Sequence, residues 1–400
     1  MSSNPENCKS YSKGLEGVIA DETNISLVDS ENGKLYYRGF PIEEIVDKKT
    51  FEECAHMILF GDFPDEQRLL DFRQELSASY ALPKYVNDLI CALPVNTHPM
   101  EVIQSVLAII GKYRPSQIQV RRVSDANEKK ISVVMGLDDQ AKELIRILAQ
   151  IPTIVANFYR AQQDLELLKP RPHLSLLRNF LYLFTGKEPS AEDTRVFEIC
   201  QMLQMEHGLN SSTFTARVVA STLAPVHACL SSAVGALFGL LHGGADEAAF
   251  RIARDLIGHP DLAEQFVTKI LNEGGKIMGL GHRIYKTVDP RAVILRRLSA
   301  ELNAKKGNEK ERVFKTLERV DEVATRIFSE KGKEIYANVE FYKGSVFNAL
   351  DIPPSYFTSM FVISRSFGWA AHILELWKDH KLYRPQAVFT GQLRRPVIEA

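Results

Sequence analysis

The chain has 400 residues, of which 45% are hydrophobic and 25% are charged, a balance typical of soluble globular proteins and not of disordered or fibrous ones. Because this length exceeds what one hydrophobic core usually organises, we expect two domains. The formal net charge of -1 excludes bulk electrostatic attraction to nucleic acid or to an anionic membrane.

The cysteines and the N-terminal residues bear on the cellular compartment. The five cysteines are widely separated and form no Cys-x-x-Cys pair, so we expect free thiols in a reducing compartment and no paired-cysteine metal or redox site. The N-terminal segment lacks an apolar signal core, and its first arginine is Arg38, which predicts a cytoplasmic protein. The apolar stretch 218–241 contains Ser221, Pro225 and His227, which favours a buried helix over a membrane span.

A small β-hairpin is predicted near the N-terminus. The β-prone segments 25–29 and 34–38 flank Asn32-Gly33, a dipeptide that favours a type I′ turn because both central residues need positive φ. From Pro41 onwards apolar residues recur at i, i+3, i+4 and i+7, which predicts helices. The first such segments are 41–48, 51–60, 64–79, 99–112 and 137–162.

The second half of the sequence also predicts helices. Pro189-Ser190 begins a capped helix that we expect to end at Gly208, and an alanine-rich helix after Ser221 leads to His242. Asp289-Pro290 has the form of an N-cap followed by proline at the first helical position. Further helices are predicted at about 245–257, 260–273, 308–330 and 354–378. The fold class is therefore predicted to be mainly α.

Three histidines stand beside glycine or at predicted helix ends, namely His207, His242 and His282. For each histidine taken alone, a capping or core role is the more common explanation. However, glycine lets a ligand approach the backbone closely, and a helix end changes the proton affinity of an imidazole. The arrangement therefore suits a site that binds or polarises a carbonyl group.

Arg365 lies in an apolar predicted helix, where a guanidinium without an anionic partner would cost several kcal/mol. An internal carboxylate and a substrate carboxylate held by the bidentate guanidinium are both compatible with this position. Arg291, directly after the helix start at Asp289-Pro290, and Arg384 are further candidates for carboxylate binding.

The segment from Gly279 to Lys286 is rich in glycine and basic residues, as phosphate-binding segments often are. It matches neither GxxxxGK[ST] nor GxGxxG, so we reject a P-loop and a dinucleotide-binding fold. The sequence also contains no GxSxG and no HExxH motif, and hydrolase and metalloenzyme functions lose their usual support.

The order and spacing of these residues closely resemble the citrate synthase family. The resemblance extends from Gly14 to Pro385, nearly the whole chain, and its combination of motifs is highly specific. The motifs are His207, Leu241-His-Gly-Gly-Ala245, Gly281-His-Arg-Ile-Tyr-Lys286, Asp289-Pro-Arg291, Asn338-Val-Glu-Phe-Tyr342 and Ser364-Arg365. The compact beginning is similar to that of the bacterial and archaeal dimeric members.

This resemblance implies a citrate-synthase-like two-domain helical fold and a homodimer. The large domain would comprise 1–240 and 352–400, the small domain 241–351, and the active site would lie in the cleft between them. His282 would polarise the carbonyl of oxaloacetate, His242 would stabilise the enol or enolate of the acyl-CoA, and Glu340 would remove the α-proton. The residues that would hold oxaloacetate are His207, Arg291, Arg365 and, from the other subunit, Arg384.

The resemblance also implies the second substrate, a short acyl-CoA, with acetyl-CoA as the expected one. The residues that would contact CoA are Gly279, Gly281, Arg283, Lys286 and Lys333. No metal and no permanently bound cofactor is implied. Condensation followed by hydrolysis of the thioester would give citrate and free CoA, as in the tricarboxylic acid cycle.

Three positions depart from the family pattern, the mildest being Asp246, which stands where the family often has asparagine. Glu340 stands where the family has aspartate, and Lys343 stands where serine is common. The extra methylene lengthens the side chain by about 1.5 Å, and a displacement of about 1 Å of a catalytic group can cost on the order of a hundredfold in rate. Two outcomes are compatible with this departure: the backbone retreats slightly and Glu340 serves as base, or the protein is a weakly active or non-catalytic paralogue that binds CoA or oxaloacetate. Within the enzyme class, a 2-methylcitrate synthase that uses propionyl-CoA is a separate alternative, because it would share the same histidines and arginines.

Overall fold

The structure, a computed structural model, describes residues 11–112, 120–125, 128–133, 137–256, 259–281, 285 and 287–392. It leaves undescribed the side chains of 120–125, 128–133, 137, 138, 245, 246, 248 and 253. The predicted site residues His282, Arg283 and Lys286, as well as Cys8, lie outside the described residues. The described fold is mainly α, as predicted.

A three-stranded antiparallel sheet lies near the N-terminus, formed by β1 (Ser26–Asp29), β2 (Lys34–Tyr37) and β3 (Phe40–Pro41). The predicted hairpin is confirmed, but its predicted type I′ turn is wrong. Asp29 pairs with Lys34, so the loop comprises 30–33, and Gly33 has positive φ whereas Asn32 does not. The Asp29 carboxylate instead accepts hydrogen bonds from the Asn32 backbone (3.1 Å) and side-chain (2.8 Å) nitrogens, which stabilises the longer loop.

Six helices and a second hairpin occupy the first part of the chain. Two of the helices begin with a capping box, formed by Thr50 and Glu53 in α2 and by His98 and Glu101 in α5. The helices are α1 (Ile42–Lys48), α2 (Phe51–Phe60), α3 (Glu66–Ala78), α4 (Lys84–Ala92), α5 (Pro99–Ile110) and α6 (Leu137–Gln162), and the hairpin consists of β4 (Val120–Asp125) and β5 (Glu128–Val133).

Ten further helices follow. They are α7 (Leu176–Thr185), α8 (Ala191–Gln204), α9 (Ser211–Ala220), α10 (Val226–Phe238), α11 (Ala245–Asp255), α12 (Ala263–Asn272), α13 (Pro290–Lys305), α14 (Asn308–Glu330), α15 (Val339–Ala349) and α16 (Phe357–Lys378). Two predicted ends are wrong: α8 ends at Gln204 and not at Gly208, and α10 ends at Phe238, before a turn that carries His242. No helix in the described part of the chain has the length and apolar character needed to cross a membrane.

Helix α16 lies at the centre of the core. Every residue from Phe357 to Ile373 is buried, and the helix packs against α2, α6, α8, α9 and α10. A helix that is covered on all sides must be apolar all round, which explains why its sequence shows no polar face. A charged residue on this helix, such as Arg365, is therefore carried into the interior of the protein.

Helices α13, α14 and α15 pack against one another, and α15 also contacts α8 and α11. The start of α15 is tied to the glycine-rich segment, because Leu280 and Ala337 form an antiparallel bridge. This packing brings the N-termini of α13 and α15 next to the segment 279–281. The division into two domains stays a prediction from the sequence.

Candidate active site

Asp289 joins the first turns of α13 and α15. Its carboxylate accepts three hydrogen bonds from Arg291, from the backbone N–H (3.0 Å), Nε (3.0 Å) and Nη2 (2.8 Å), and a fourth from the Val339 backbone N–H (3.2 Å). Asp289 and Arg291 are both buried. Burial alone lowers the pKa of Arg291, but the adjacent Asp289 carboxylate outweighs this effect and raises it. The remaining Arg291 nitrogen, Nη1, makes no hydrogen bond to a described residue.

Glu340 lies in the first turn of α15 and is half-buried. Its backbone N–H donates to the side-chain oxygen of Asn338, the N-cap residue (3.0 Å). Asn338 also donates to the carbonyl groups of Gly279 (2.9 Å) and Gly281 (2.8 Å). The Asn338 contacts fix the position of Glu340 relative to the glycine-rich segment.

Position 279 requires glycine for two reasons, its backbone conformation and the close approach of neighbouring side chains. Its φ is +84°, and a Cβ atom there would lie 3.0 Å from a ring carbon of Phe341 and 3.1 Å from the Cβ of Ala249. Gly281 shares the positive φ (+84°), and its N–H donates to the Tyr336 carbonyl (2.8 Å). A larger residue at Gly279 would separate α15 from the segment that precedes His282 in sequence.

His242 lies in the turn between α10 and α11. Its Nε2 is 2.8 Å from Ser212 Oγ and accepts a longer hydrogen bond from the Ser212 backbone N–H (3.4 Å). The Ser212 hydroxyl proton has two acceptors within reach, Nε2 and Asn210 Oδ1 (2.8 Å), and the hydroxyl oxygen accepts from Trp369 Nε1 (3.1 Å). Because a backbone N–H can only donate, we assign Nε2 as an acceptor and the ring proton to Nδ1.

The imidazole of His242 is neutral at physiological pH. Burial lowers its pKa to about 4, and two cations add to this effect, Arg365 from α16 and Lys343 from α15. A neutral imidazole with a proton on Nδ1 can donate a hydrogen bond to a developing oxyanion without first losing a proton.

Arg365 is buried in the middle of α16. Its Nε donates to the Gln204 carbonyl (2.8 Å), and its guanidinium lies 4.7 Å from the centre of the Phe361 ring. Its two terminal nitrogens make no hydrogen bond or ion pair with the described residues. The nearby carboxylate of Glu206 is instead bound by His372 Nε2 (3.1 Å). No carboxylate of the described residues forms a hydrogen bond or ion pair with Arg365, and a substrate carboxylate is the better interpretation.

Burial is the main influence on the ionisation of Arg365. It lowers the pKa of the guanidinium, and the carboxylates of Glu206 and Glu340 oppose this effect. Glu340 likewise acts on Arg291. The three predicted residues Glu340, Arg291 and Arg365 are therefore within electrostatic range of one another, and His242 is within range of Arg365.

His207 is buried beyond the end of α8, next to Tyr285. Its Nε2 lies 3.3 Å from the Tyr285 hydroxyl, and the two rings are arranged edge to face. Burial raises the pKa of Tyr285, and its other neighbours include Arg291 and Asp289. Sequence analysis missed Tyr285 and Ser212 as site residues. Tyr285 could have been found because it belongs to the glycine-rich basic segment, whereas Ser212 is an ordinary first-turn residue of α9.

Two of the predicted site residues, Arg384 and Lys333, have no described contact with the other residues of the candidate site. Arg384 is exposed in the segment after α16 and makes no hydrogen bond or ion pair with the described residues. Lys333 is exposed after α14, and its described hydrogen bond is made by its backbone to Phe328. The role of Arg384 in the site of a second subunit stays a prediction from the sequence.

A cavity of about 450 Å³ lies between α13, α14 and α15. Its lining includes Tyr336 and Ala337, which precede the N-cap of α15, and Asp321 and Tyr342. None of the predicted site residues that the structure describes lines it. Elsewhere in the described residues, no group of three His, Cys, Asp or Glu side chains is placed to hold a metal ion.

Comparison with known proteins identifies the family. The family model described as citrate synthase, C-terminal domain, matches residues 14–386. A citrate synthase from Deinococcus radiodurans is 38% identical over 95% of both chains, and a 2-methylcitrate synthase from Shewanella oneidensis is 33% identical over 96% of both.

A solved structure agrees with the sequence relatives. The citrate synthase of Thermoplasma acidophilum, in a ternary complex with carboxymethyl coenzyme A and oxaloacetate, superposes with a TM-score of 0.87 at 28% identity and covers 98% of this chain and 99% of its own. Fold, motifs and relatives therefore agree along nearly the whole length. The chain belongs to the citrate synthase family and is an enzyme of the citrate synthase type.

Proposed function

We propose that the protein joins the acetyl group of acetyl-CoA to oxaloacetate and releases citrate and free CoA. The observation that carries the proposal is the buried guanidinium of Arg365, which has no carboxylate partner among the described residues and lies within electrostatic range of the neutral His242 and of Glu340. A cation that the fold leaves without an anion is suited to an anionic substrate, and oxaloacetate is a dianion.

The first step is removal of a proton from the acetyl group. Glu340 takes the α-proton of the thioester, and negative charge develops on the thioester oxygen. His242 donates its Nδ1 proton in a hydrogen bond to this oxygen, while the hydrogen bonds from Ser212 hold the ring in place. A weakly acidic C–H can be deprotonated by a carboxylate because such a preorganised donor stabilises the enolate.

The second step is formation of the carbon–carbon bond. The enolate carbon attacks the keto carbon of oxaloacetate, and the keto oxygen takes up a proton, with His282 in the role that the family resemblance gives it. Arg365, Arg291 and His207 hold the substrate carboxylates in attack geometry, and Arg384 completes the site from the second subunit of a homodimer. Water then cleaves the thioester to give citrate and CoA.

The proposal places CoA along the glycine-rich segment. Gly279 and Gly281 allow close approach to the backbone, while Arg283, Lys286 and Lys333 bind the phosphates as cations. The site lies between a large domain of residues 1–240 and 352–400 and a small domain of residues 241–351, whose closure excludes water. A cytoplasmic location and a role in the tricarboxylic acid cycle stay predictions from the sequence.

Propionyl-CoA is the second candidate substrate. The relative from Shewanella oneidensis, described as a 2-methylcitrate synthase, is 33% identical over 96% of both chains. One additional methylene in an apolar pocket changes the transition-state energy by only about 1–3 kcal/mol. The acyl preference must therefore be measured as the ratio of kcat/KM values for the two thioesters.

Release of CoA thiol in the presence of oxaloacetate tests the proposal. We expect wild-type turnover with acetyl-CoA to exceed that with propionyl-CoA, and Glu340→Gln to lower kcat by on the order of a thousandfold or more, since the amide cannot accept the α-proton. Oxaloacetate binding by this variant should be retained, which controls for misfolding. If the wild type binds oxaloacetate and turns over neither thioester, the protein is a ligand-binding paralogue and the proposal is wrong.

A further inference from the structure

Trp369 is a buried indole on the helix that carries Arg365. It lies one helical turn after Arg365 on α16 and is 0% exposed. Residues at i and i+4 are neighbours on one face of a helix, so the indole and the guanidinium lie on the same side of α16. A buried indole N–H can only donate and needs an acceptor. Its acceptor here is a side chain, the hydroxyl oxygen of Ser212 on α9 (3.1 Å).

The second tryptophan of α16 meets the same need in a different way. Trp377 is also buried, and its Nε1 donates to the backbone carbonyl of Ala220 (3.0 Å). A carbonyl has no proton to direct elsewhere, so this bond satisfies the indole and has no further effect. A hydroxyl group does have a proton, and the Ser212 hydroxyl also contacts His242. Of the two indole bonds, only that of Trp369 therefore leads to a predicted site residue.

The Ser212 oxygen has three polar neighbours. They are Trp369 Nε1, His242 Nε2 (2.8 Å) and Asn210 Oδ1 (2.8 Å). The indole occupies one lone pair of the oxygen, which leaves the other side of the hydroxyl group for the imidazole and the amide. Ser212 is 0% exposed, so solvent does not replace the indole as a donor. The indole therefore fixes both the place of the oxygen and the directions open to its proton.

His242 depends on Ser212 for its orientation. The imidazole lies in a turn and is half-buried. In the described part of the chain, both hydrogen bonds of its ring are made with Ser212, one with the hydroxyl group and a longer one with the backbone N–H (3.4 Å). Donors held at Nε2 keep the ring proton on Nδ1. If the hydroxyl group turned away, the proton could move to Nε2, and Nδ1 would offer a lone pair in place of a hydrogen-bond donor.

We propose that Trp369 is a positioning residue of the condensation site: its indole N–H holds the Ser212 hydroxyl group against His242 Nε2 and so keeps the imidazole proton on Nδ1. One face of α16 then serves both substrates, with Arg365 for the carboxylate of oxaloacetate and Trp369, through Ser212, for the residue that stabilises the enolate. The effect on turnover rests on the proposed function, whereas the effect on the ring proton does not.

The position of the ring proton tests the inference without any turnover. NMR of protein with isotopically labelled imidazole nitrogens distinguishes the two neutral forms by their chemical shifts, with His242→Gln to assign the signals. We expect Nδ1–H in the wild type. In Trp369→Phe, which keeps an aromatic ring and removes the donor, the ratio of Nδ1–H to Nε2–H should fall by about threefold to tenfold, the effect of one hydrogen bond on an equilibrium. Trp377→Phe makes the same exchange on the same helix and should leave the ratio unchanged.

An isosteric replacement separates the donor from the shape of the ring. Benzothienylalanine has a sulfur atom in place of the indole N–H and nearly the same shape. A Trp377→Phe protein has one tryptophan position left for this analogue, since the chain contains two tryptophans. Incorporation at 369 should change the ratio of the two imidazole forms as Trp369→Phe does. If the indole only filled the core, the analogue would leave the ring proton on Nδ1.

Steady-state kinetics and a double-mutant cycle test the route through Ser212. Trp369→Phe should lower kcat by about tenfold and change the KM for oxaloacetate by less than about threefold, because the affected hydrogen bond forms to the developing oxyanion. Trp377→Phe should leave both quantities unchanged. In a Ser212→Ala protein, which lacks the hydroxyl group, Trp369→Phe should lower kcat by less than about twofold more, since residues that act through one another are not additive.

The outcomes separate this inference from the proposed function. A wild-type His242 with its proton on Nε2 would overturn the inference, whatever the activity. A ring proton that stays on Nδ1 in both Trp369→Phe and the benzothienylalanine protein would do the same. Full additivity of Trp369→Phe and Ser212→Ala would also contradict it. An absence of wild-type turnover would overturn the proposed function, and the imidazole shifts would still decide the role of Trp369.

Discussion

Arg365 illustrates how a single residue can serve binding at the expense of stability. Its guanidinium is buried on α16, and no carboxylate of the described residues forms a hydrogen bond or ion pair with its terminal nitrogens. An isolated buried charge raises the free energy of the folded state, and an anionic ligand removes that penalty. The substrate-free protein therefore carries a cost that oxaloacetate is expected to offset, a form of the trade-off between activity and stability.

We predict that Arg365→Met weakens oxaloacetate binding by about a hundredfold or more, since removing one partner of a buried charge pair costs about 2–5 kcal/mol. The thermal midpoint of the substrate-free variant should be equal to or above that of the wild type, because methionine keeps the apolar contact with Phe361 and removes the charge. Calorimetric titration with oxaloacetate and thermal unfolding measure the two effects.

Arg319→Met provides the matched control, because Arg319 lies on an exposed face of α14 and should change neither quantity. A large fall in the thermal midpoint of Arg365→Met, together with unaltered oxaloacetate affinity, would instead show that Arg365 supports the fold. This control measures how far replacing any arginine by methionine changes the oxaloacetate affinity and the thermal midpoint.

The sequence predicted those site residues whose context was unusual. His242 lies between leucines and glycines, and Arg365 lies in an apolar helix. A polar or charged residue in such a context departs from the usual hydrophobic pattern, which indicates a functional role. Ser212 has no such context, since serine is common in the first turn of a helix. Its contact with His242 depends on the packing of α9 against α10, which no local pattern encodes.

At the scale of helices, the long helices α6, α14 and α16 were predicted, whereas some short helices were not. Helices α6 and α14 have the predicted bounds, 137–162 and 308–330. Helices α9 and α15 were not predicted. Residues 341–347 of α15 are all buried, so its sequence lacks the alternation of faces from which a helix is inferred.

The contact between α2 and α8 buries two carboxylates close together. Burial raises the pKa of Glu198 on α8 to about 7, and Glu52 on α2 adds to this effect. The folded protein therefore binds a proton that the unfolded chain releases at lower pH. Its stability falls as pH rises from the ordinary glutamate pKa through about 7.

We predict that Glu198→Gln raises the thermal midpoint at pH above 7, because glutamine removes a charge that the folded state disfavours, by about 1–3 kcal/mol in free energy of unfolding. The difference from the wild type should shrink towards pH 4.5, where Glu198 is protonated and neutral in the folded protein. Thermal unfolding of both proteins over this range is the measurement. A difference that is independent of pH would show that the effect comes from packing or hydrogen bonding and not from ionisation.

At the scale of the whole molecule, the open question is whether one chain contains a complete site. Arg384 is exposed beyond α16, although the segment that carries it is held in place. The backbone of the adjacent Tyr383 donates to Ser221 (3.1 Å), and its hydroxyl accepts from Arg217 Nε (3.0 Å). A fixed segment with an exposed arginine at its surface is the arrangement expected if the arginine serves the site of a second subunit. Local sequence patterns do not reveal assembly, because two surfaces must be known together.

Mixing two inactive variants decides whether Arg384 acts between subunits. Glu340→Gln and Arg384→Ala should each have little activity as homodimers. In a mixed dimer, the site that contains the intact Glu340 of one chain would receive the intact Arg384 of the other. Random exchange of equal amounts makes half of the dimers mixed, each with one complete site of two, so we expect recovery of about a quarter of the wild-type activity.

Exchange is promoted by mild denaturation and renaturation, and each variant treated alone is the control. If Arg384 served its own chain, the mixed dimer would contain no complete site, and the activity would stay at the level of the separate variants.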